Sequence, residues 1–210
     1  MNKNTTKVTN RIQIVGTVVS ALKFSHEVVG EKFYNFHIST NRLSVNADTI
    51  NITISERLLI GQKFHIGTRV TVIGQVRTYN KTEHNRSSLI ITLFAISYAN
   101  CEETTKDIDE VELTGFVCKT PIYRTTPLGR EITDMVLAVN RSYDKSDYIP
   151  VVVWGRNARF CKSLQVGDSI NIKGRLQSRE YQKKNIDGSI TARIAYEISV
   201  SSVIKEEGDA

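Results

Sequence analysis

Residues 66–76, with the sequence IGTRVTVIGQV, decide the fold, because a variant of the stretch recurs 100 residues later as VGDSINIKGRL in residues 166–176. After its first glycine each copy alternates apolar and polar residues, which is the pattern of a half-buried β-strand. Two further blocks recur in the same order at an offset of 99, namely IQIVGTVV (12–19) as VELTGFVC (111–118) and HISTNR (37–42) as VLAVNR (136–141). The chain therefore contains two copies of one small domain.

The charge distribution separates the two copies. Residues 1–100 hold 12 Lys and Arg against 5 Asp and Glu, residues 101–112 hold 1 against 6, and residues 113–204 hold 14 against 8. We predict a diverged first domain at 8–100, an acidic linker at 101–109, a second domain at 110–204 and a short tail at 205–210. The two basic bodies point to a polyanionic partner, although a net charge of +6 also fits a solubilising surface.

Each copy has the pattern of five strands. In the second copy the strands are expected near residues 111–115, 132–139, 149–154, 169–177 and 190–203, with a short helix at 157–164. The turn between the last two strands contains Asp187 and Gly188, a pair that suits a hairpin. This order predicts an all-β chain of two tandem five-stranded oligonucleotide/oligosaccharide-binding (OB) barrels, each with one short helix between strands 3 and 4.

Several classes of protein are disfavoured by what the sequence lacks. No apolar run approaches the roughly 18 residues of a membrane span, and residues 1–6 are polar, so we expect a cytoplasmic, nucleoid-associated protein. The 3 cysteines form no CxxC pair and the 4 histidines have no ligand-like spacing. No nucleotide-binding loop or hydrolase motif is present. We therefore expect no enzyme activity, no cofactor and no metal.

The second copy carries a family resemblance along nearly its whole length. The residues that carry it are PIYRTTPLGR (121–130), LAVNR (137–141), YIPVVVWGRNA (148–158) and GRLQSREY (174–181). In order and spacing these motifs resemble the bacterial single-stranded DNA-binding protein family, in a two-barrel version as in clostridia-like bacteria. The resemblance implies sequence-independent binding and protection of single-stranded DNA during DNA replication, recombination or repair.

The resemblance also implies which side chains contact DNA. The family's base-stacking positions fall on Tyr143, Tyr148, Trp154 and Tyr181, and stacking is tolerant of sequence because every base has a π-face. Any one of these rings could instead be ordinary packing at a barrel rim. Basic residues that we expect to contact phosphates or bases are Arg124, Arg130, Arg141, Arg156, Lys173, Arg175, Arg179, Lys183 and Lys184. Each of these could also be a solvated surface charge.

The first copy departs from the family pattern. No aromatic residue stands at the positions that match Tyr143 and Trp154, which fall near Ser44 and Ile54 or Ser55. Weaker candidates for DNA contact in this copy are Tyr34, Arg42, Arg77, Tyr79, Lys81 and Arg86. We expect this barrel to bind weakly through charge or to serve protein contacts. The acidic linker predicts a loosely packed junction between the barrels.

The expected partners are single-stranded DNA and a second copy of the chain, because a homodimer would present the four barrels typical of the family. Replication and repair proteins are possible partners. Family members usually recruit them through an acidic tip that closes with Pro-Phe, and residues 205–210 lack that ending. The alternatives left open are an RNA-binding OB protein and a primosome-type scaffold whose barrels contact proteins more than nucleic acid.

Overall fold

The structure is a computed structural model that describes residues 10–42, 46–83, 86–142, 145–184 and 188–206 of the 210-residue chain. In the first half a 3-10 turn, Glu56–Leu59, separates the fourth strand from the fifth. The strands of this half are β1 (Asn10–Val18), β2 (Lys23–Val28), β3 (Glu31–Asn41), β4 (Ala47–Ser55), β5 (Arg69–Glu83) and β6 (Arg86–Asn100).

The second half repeats this order, with one short α-helix, α1 (Gly155–Cys161), in place of the 3-10 turn. Helix α1 begins two residues earlier than predicted and is shorter. The strands of this half are β7 (Ile108–Val117), β8 (Ile122–Thr125), β9 (Glu131–Arg141), β10 (Lys145–Trp154), β11 (Ser169–Lys184) and β12 (Ile190–Lys205).

Five strands of each half close into a barrel. In the first half β1 pairs with β3 and β5, β3 pairs with β4, β5 pairs with β6, and a short parallel pairing of β4 with β6 completes the ring. Strands β7, β9, β10, β12 and β11 form the same ring in the second half. The predicted pair of five-stranded OB barrels is confirmed. In the described part of the chain, the short strands β2 and β8 are additions, and β2 pairs only with β3 and β8 only with β9.

The barrel interiors are filled by the inward-facing residues of the alternating strands. In β10, Ile149, Val151 and Val153 are buried, and the equivalent Ile50, Ile52 and Ile54 of β4 are fully buried. Burying one such side chain contributes about 1.5–3 kcal/mol before conformational entropy is counted. The period of two that predicted the strands therefore also identifies the core.

Two glycines mark the places where the long hairpin strands bend. The ladder between β5 and β6 shifts register between Ile73 and Gly74, and the β11–β12 ladder shifts between Lys173 and Gly174. A Cβ atom at Gly74 would clash with the backbone oxygen of Phe94. Only glycine allows the close approach that turns the strand around the barrel corner.

The junction between the barrels is tightly packed, so the prediction of a loose junction is wrong. Strands β1 and β7 pair antiparallel, and Ile12 faces its own repeat equivalent, Val111. The two barrels are thus related by an approximate two-fold axis through that residue pair. Ile108 and Asp109, which the sequence assigned to the linker, lie in β7.

One acidic residue of the linker, Asp107, docks the linker onto the first barrel. The Asp107 carboxylate accepts a hydrogen bond from the Asn41 backbone N–H at 2.7 Å and forms an ion pair of 2.5 Å with Arg69. Arg69 also donates to the backbone oxygen of Thr105. The positive charge of Arg69 therefore holds the linker in place through Asp107. The net charge of each segment does not reveal this ion pair.

A polar pair near the two-fold axis breaks the symmetry. The Asn10 side chain donates to the Val76 backbone oxygen and accepts from the Val76 N–H, both at 2.8 Å. Its repeat equivalent, Asp109, accepts from the Leu176 N–H at 2.9 Å through Oδ1. Within the described residues the buried Asp109 Oδ2 has no hydrogen-bond partner.

None of the helical segments in the described part of the chain has the length and hydropathy that a membrane-spanning helix needs.

Candidate nucleic-acid interface

The outer face of β10 presents two aromatic rings of the second barrel. Because side chains alternate along a strand, Tyr148 and Trp154 point away from the core residues of β10. Tyr148 is 54% exposed and Trp154 is 37% exposed. The indole Nε1 of Trp154 donates to Ser199 Oγ at 3.1 Å, which fixes the ring across the neighbouring strand β12. Two flat apolar surfaces are thereby held open to solvent on one strand.

A third ring lies on the β11–β12 hairpin. Tyr181 is 37% exposed, and the Arg179 guanidinium lies 6.0 Å from its ring centroid. Arg179 also approaches the Glu197 carboxylate at 3.6 Å. The backbones of Lys183 and Lys184 continue β11 toward the hairpin tip. The fourth predicted stacking residue, Tyr143, lies outside the described residues, so three of the four predicted rings can be placed.

The predicted basic residues of the second barrel fall into two groups. Among the described residues no carboxylate pairs with the exposed side chains of Arg130 and Arg156. Arg124 pairs with Asp134 at 2.6 Å, and Lys173 approaches Glu112 at 3.7 Å, but both cations remain more than half exposed. These residues keep positive charge at the barrel surface.

Arg175 belongs to a different environment, the contact between the barrels. Its guanidinium donates to the Asp48 carboxylate at 2.9 Å, and Arg42 donates to the same carboxylate at 2.5 and 2.7 Å. The Ser178 backbone N–H donates to Asp48 at 2.7 Å. Asp48 of the first barrel thus binds the β11 strand of the second.

The electrostatics of Asp48 follow from these contacts. Burial acts to raise the pKa of Asp48, but the hydrogen bonds from Arg42 and the Ser178 N–H, with the positive charge of Arg42 and Arg175, outweigh it. The pKa of Asp48 therefore lies below its ordinary value, and the carboxylate stays charged although its side chain is 1% exposed.

The repeat equivalent of Asp48 makes the reciprocal contact. Asp147 of the second barrel is fully buried and accepts from the Thr78 backbone N–H at 2.7 Å. Arg77 lies 3.3 Å and Arg141 lies 3.6 Å from the same carboxylate. We call Asp48, Asp147 and the arginines that bind them (Arg42, Arg175, Arg77, Arg141) the inter-barrel clamp.

The clamp changes the interpretation of four predicted contact residues. The sequence placed Arg42, Arg77, Arg141 and Arg175 at an open DNA surface, whereas each is held by a buried carboxylate and is at most 34% exposed. The signal that sequence reasoning missed is the repeat of Asp48 as Asp147 at the same offset of 99 that relates Arg42 to Arg141. A buried carboxylate that stays charged needs a paired cation, and the clamp arginines meet this need.

The remaining candidates of the first barrel are dispersed. Tyr34 packs against the core and meets Phe24 edge-on at 6.0 Å, so its ring is not on the outer face. Tyr79 is 43% exposed on β5, next to Thr78, whose Oγ1 accepts from the Tyr148 backbone N–H at 3.1 Å. Lys81 is exposed near the hairpin tip, and the side chain of Arg86 lies outside the described residues.

The described residues contain no group of three or more His, Cys, Asp or Glu side chains close enough to hold a metal ion.

Comparison with known proteins identifies the relatives of the second barrel. Residues 108–204 match the model of the single-strand binding protein family. The chain is 39% identical over 85 residues to the single-stranded DNA-binding protein of Clostridium tetani, covering 37% of this chain and 59% of that protein. It is 30% identical over 86 residues to single-stranded DNA-binding protein B of Bacillus subtilis, covering 36% of this chain and 74% of that protein.

The two-barrel arrangement has a counterpart among solved structures. The wild-type single-stranded DNA binding protein from Thermus aquaticus superposes with a TM-score of 0.74 at 18% identity, covering 96% of this chain and 95% of that one. That likeness shows the fold. The chain spans 59% and 50% of the length of the relatives from Clostridium tetani and Staphylococcus aureus. From the family match and the Bacillus relative, the chain belongs to the single-strand binding protein family.

Proposed function

We propose that the protein binds single-stranded DNA without sequence preference and protects it during DNA replication, recombination or repair. The observation that carries the proposal is the pair of exposed rings, Tyr148 and Trp154, on the outer face of one barrel strand. Stacking on such rings requires unpaired bases, which duplex DNA does not offer. The names of the relatives support this assignment.

The proposed contact surface follows the exposure of the predicted residues. Tyr148, Trp154 and Tyr181 stack bases, and Tyr143 joins them by the family match. The phosphates are held by cations outside the clamp, and these are Arg124, Arg130, Arg156, Lys173, Arg179, Lys183 and Lys184. The clamp arginines act indirectly, because they fix the two barrels relative to each other.

The test compares matched oligonucleotides by fluorescence anisotropy. A single strand should bind more tightly than the duplex of the same sequence, and base composition should have little effect. Trp154→Ala should weaken binding by about 1–3 kcal/mol per stacked base. The matched control is Phe116→Leu, which alters a ring of the same barrel that is 44% exposed on β7.

Equal affinity for duplex and single strand would refute the proposal. Tighter binding of RNA than of DNA would favour the RNA-binding alternative. If Trp154→Ala leaves the cellular function intact, the barrels serve as a protein scaffold instead.

We further propose that two chains associate into a homodimer with four OB barrels. The first barrel exposes apolar side chains that a partner would cover, including Ile60 at 77%, Ile66 at 62% and Ile96 at 59%. Light scattering at micromolar concentration should give twice the mass of the 23.7 kDa chain. A mass of one chain that does not change with concentration would contradict the dimer.

A further inference from the structure

Three aromatic rings form a row across the first barrel, and none of them stands at a position that matches the family's stacking motifs. The His26 ring stacks on Phe33 with a centroid distance of 4.8 Å and an interplanar angle of 5°. Phe33 lies 5.6 Å from Phe94 at an angle of 31°. His26 is exposed, while Phe33 and Phe94 are half-buried. We call His26, Phe33 and Phe94 the aromatic row.

A β-bulge places His26 in this row. Phe24 pairs with Tyr34, and the register then shifts so that His26, rather than Ser25, pairs with Phe33. Paired residues of an antiparallel ladder share a face of the sheet. The extra residue therefore sends Phe24 to the face of Tyr34 and His26 to the opposite, outer face with Phe33.

Small residues on β4 allow the two phenyl rings to meet. Strand β4 lies between β3 and β6, and its outward residues Thr53 and Ser55 are 5% and 7% exposed. Ser55 pairs with Phe33, and Thr53 pairs with Phe94. Because the hydroxyl side chains are short, Phe33 and Phe94 approach each other above β4.

The second barrel carries Trp154 at this same place. The repeat offset of 99 relates Ser55 to Trp154 and Phe33 to Ile132, and Trp154 pairs with Ile132 as Ser55 pairs with Phe33. Gln75 and Arg175 are repeat equivalents. Phe94 pairs with Gln75 and Ser199 pairs with Arg175, so Phe94 corresponds to Ser199. Trp154 donates to Ser199. The Trp154 indole in the second barrel and the Phe33 and Phe94 rings in the first thus lie on equivalent parts of the outer barrel surface.

We propose that the aromatic row is a second base-stacking surface for single-stranded DNA, built from strand positions other than those used by the second barrel. The proposal rests on the proposed function, because it assigns the same ligand to the other barrel. It differs from the expectation that the first barrel binds weakly through charge or serves protein contacts.

The surroundings of the row are compatible with a polyanionic strand. Glu31, which lies on the same face, accepts a hydrogen bond from Ser55 and approaches Arg57 at 3.5 Å, so its charge is neutralised locally. The His26 side chain is exposed, and a flat exposed ring accepts a base of any identity. A nucleobase is therefore a better match than an apolar peptide segment, which would need a groove.

The test replaces two residues of the aromatic row with the residues that stand at the equivalent positions of the second barrel. In the double variant Phe33→Ile with Phe94→Ser, the first barrel carries the side chains that Ile132 and Ser199 provide in the second. We measure binding of oligothymidylates by anisotropy, with one length confined to a single barrel, roughly 4–16 nucleotides, and one long enough to reach both. The chain has 1 tryptophan, Trp154, so its fluorescence quenching reports occupancy of the second barrel alone.

The expected result separates the two barrels. Affinity for the long strand should fall about 5- to 150-fold, the loss of one stacked base, while Trp154 quenching by the short strand should change less than about twofold. His26→Ala, at an exposed site, should weaken long-strand binding in the same direction. Phe24→Leu is the matched control, since Phe24 is 55% exposed on the same strand but faces away from the row.

A crosslinking measurement on the native chain covers the case in which the double variant does not fold. After irradiation, a long oligonucleotide that contains 5-iododeoxyuridine should be crosslinked to peptides that contain His26, Phe33 or Phe94. Normal Trp154 quenching combined with no crosslink there and no effect of His26→Ala would overturn the aromatic row as a DNA site. Absence of Trp154 quenching in the native chain would instead refute the proposed function itself.

Discussion

At the scale of single residues, one carboxylate near the two-fold axis has an unusual proton affinity. Burial raises the pKa of Asp109 to about 7, and the nearby Asp48 acts in the same direction, while the Leu176 N–H, Arg175 and Arg42 oppose the shift. The equivalent Asn10 uses an amide N–H to reach the Val76 backbone oxygen. A protonated Asp109 has a hydroxyl that can replace that donor, whereas the ionised form has none.

The stability of the protein should therefore depend on the charge of Asp109. Its pKa is raised in the folded state, so between about pH 4 and pH 7 the folded chain holds a proton that the unfolded chain releases. This site then loses stability as the pH rises through that window, by at most about 1.4 kcal/mol per pH unit. Asp109→Asn should remove this contribution and become more stable relative to the native chain as the pH rises from 5 to 8.

Urea unfolding of both proteins at several pH values measures this difference. Asn10→Asp, which places a second buried carboxylate at the equivalent site, is the converse variant and should show a steeper loss of stability with rising pH. A difference between Asp109→Asn and the native chain that does not vary with pH would contradict the assignment.

The two clamp carboxylates should differ in their contribution to stability. The guanidinium nitrogens of Arg42 and Arg175 lie 2.5–2.9 Å from the carboxylate oxygens of Asp48, whereas those of Arg77 and Arg141 lie 3.3 and 3.6 Å from the oxygens of Asp147. Asp48→Ala should therefore cost about 3 kcal/mol, the lower end of the cost of breaking a buried ion pair, because Arg42, which is 22% exposed, loses its partner. Asp147→Ala should cost less. Denaturant unfolding measures both, and a larger loss for Asp147→Ala would show that distance does not decide the ranking.

At the scale of strands and helices, the sequence predicted the features that depend on a local residue pattern. The alternation along Ile149, Val151 and Val153 located both the strand and its buried face, and the repeat located the second barrel. Strand β2 escaped prediction because all six of its residues are exposed, so no apolar alternation marks it. Its bulge, and with it the aromatic row, depends on pairing with β3 rather than on any local signal.

The contacts between the barrels could not be predicted from the sequence either. Arg42 and Arg175 are 133 residues apart and meet only because β11 crosses β4. A guanidinium in a basic segment has the same sequence pattern whether it binds phosphate or a distant carboxylate. The structure exposes the three placed rings, Tyr148, Trp154 and Tyr181, at the strand positions that the family motif gives them, and their contact with DNA stays a prediction.

The glycine bends of the long hairpins support an element-scale prediction. At Gly174 a Cβ atom would clash with the Ser199 backbone oxygen, and neither strand can move without breaking the ladder. Gly174→Ala should destabilise the protein by about 1–3 kcal/mol, the usual cost of overpacking. Calorimetry measures the change, and Gly30→Ala is the comparison variant, because its positive φ of 79° strains an alanine while no neighbour lies within 4 Å of the added Cβ, so it shows the cost of backbone strain without a clash. A melting temperature of Gly174→Ala equal to that of the native chain would show that the bend can relax.

At the scale of the whole molecule, positive charge is divided between two tasks. The four clamp arginines pair with two buried carboxylates and join the barrels, so half of their positive charge is neutralised within the clamp. Cations such as Arg130 and Arg156 face solvent without a carboxylate partner in the described part of the chain. Arg130 and Arg156 therefore need to break no ion pair when they replace the counterions of a DNA strand.

This division predicts which charges set the salt dependence of DNA binding. Each phosphate contact with a single strand contributes a slope of about 0.7 in a plot of log affinity against log salt concentration. The double variant Arg130→Gln with Arg156→Gln should therefore lower the slope by about 1.4, because two contacts are lost. Lys205→Gln removes one charge from a site that is already paired with Asp168 at 2.8 Å, and it should leave the slope nearly unchanged. Anisotropy titrations at four or more salt concentrations give the slopes, and equal slopes for the native chain and the arginine variant would place the phosphate path elsewhere on the surface.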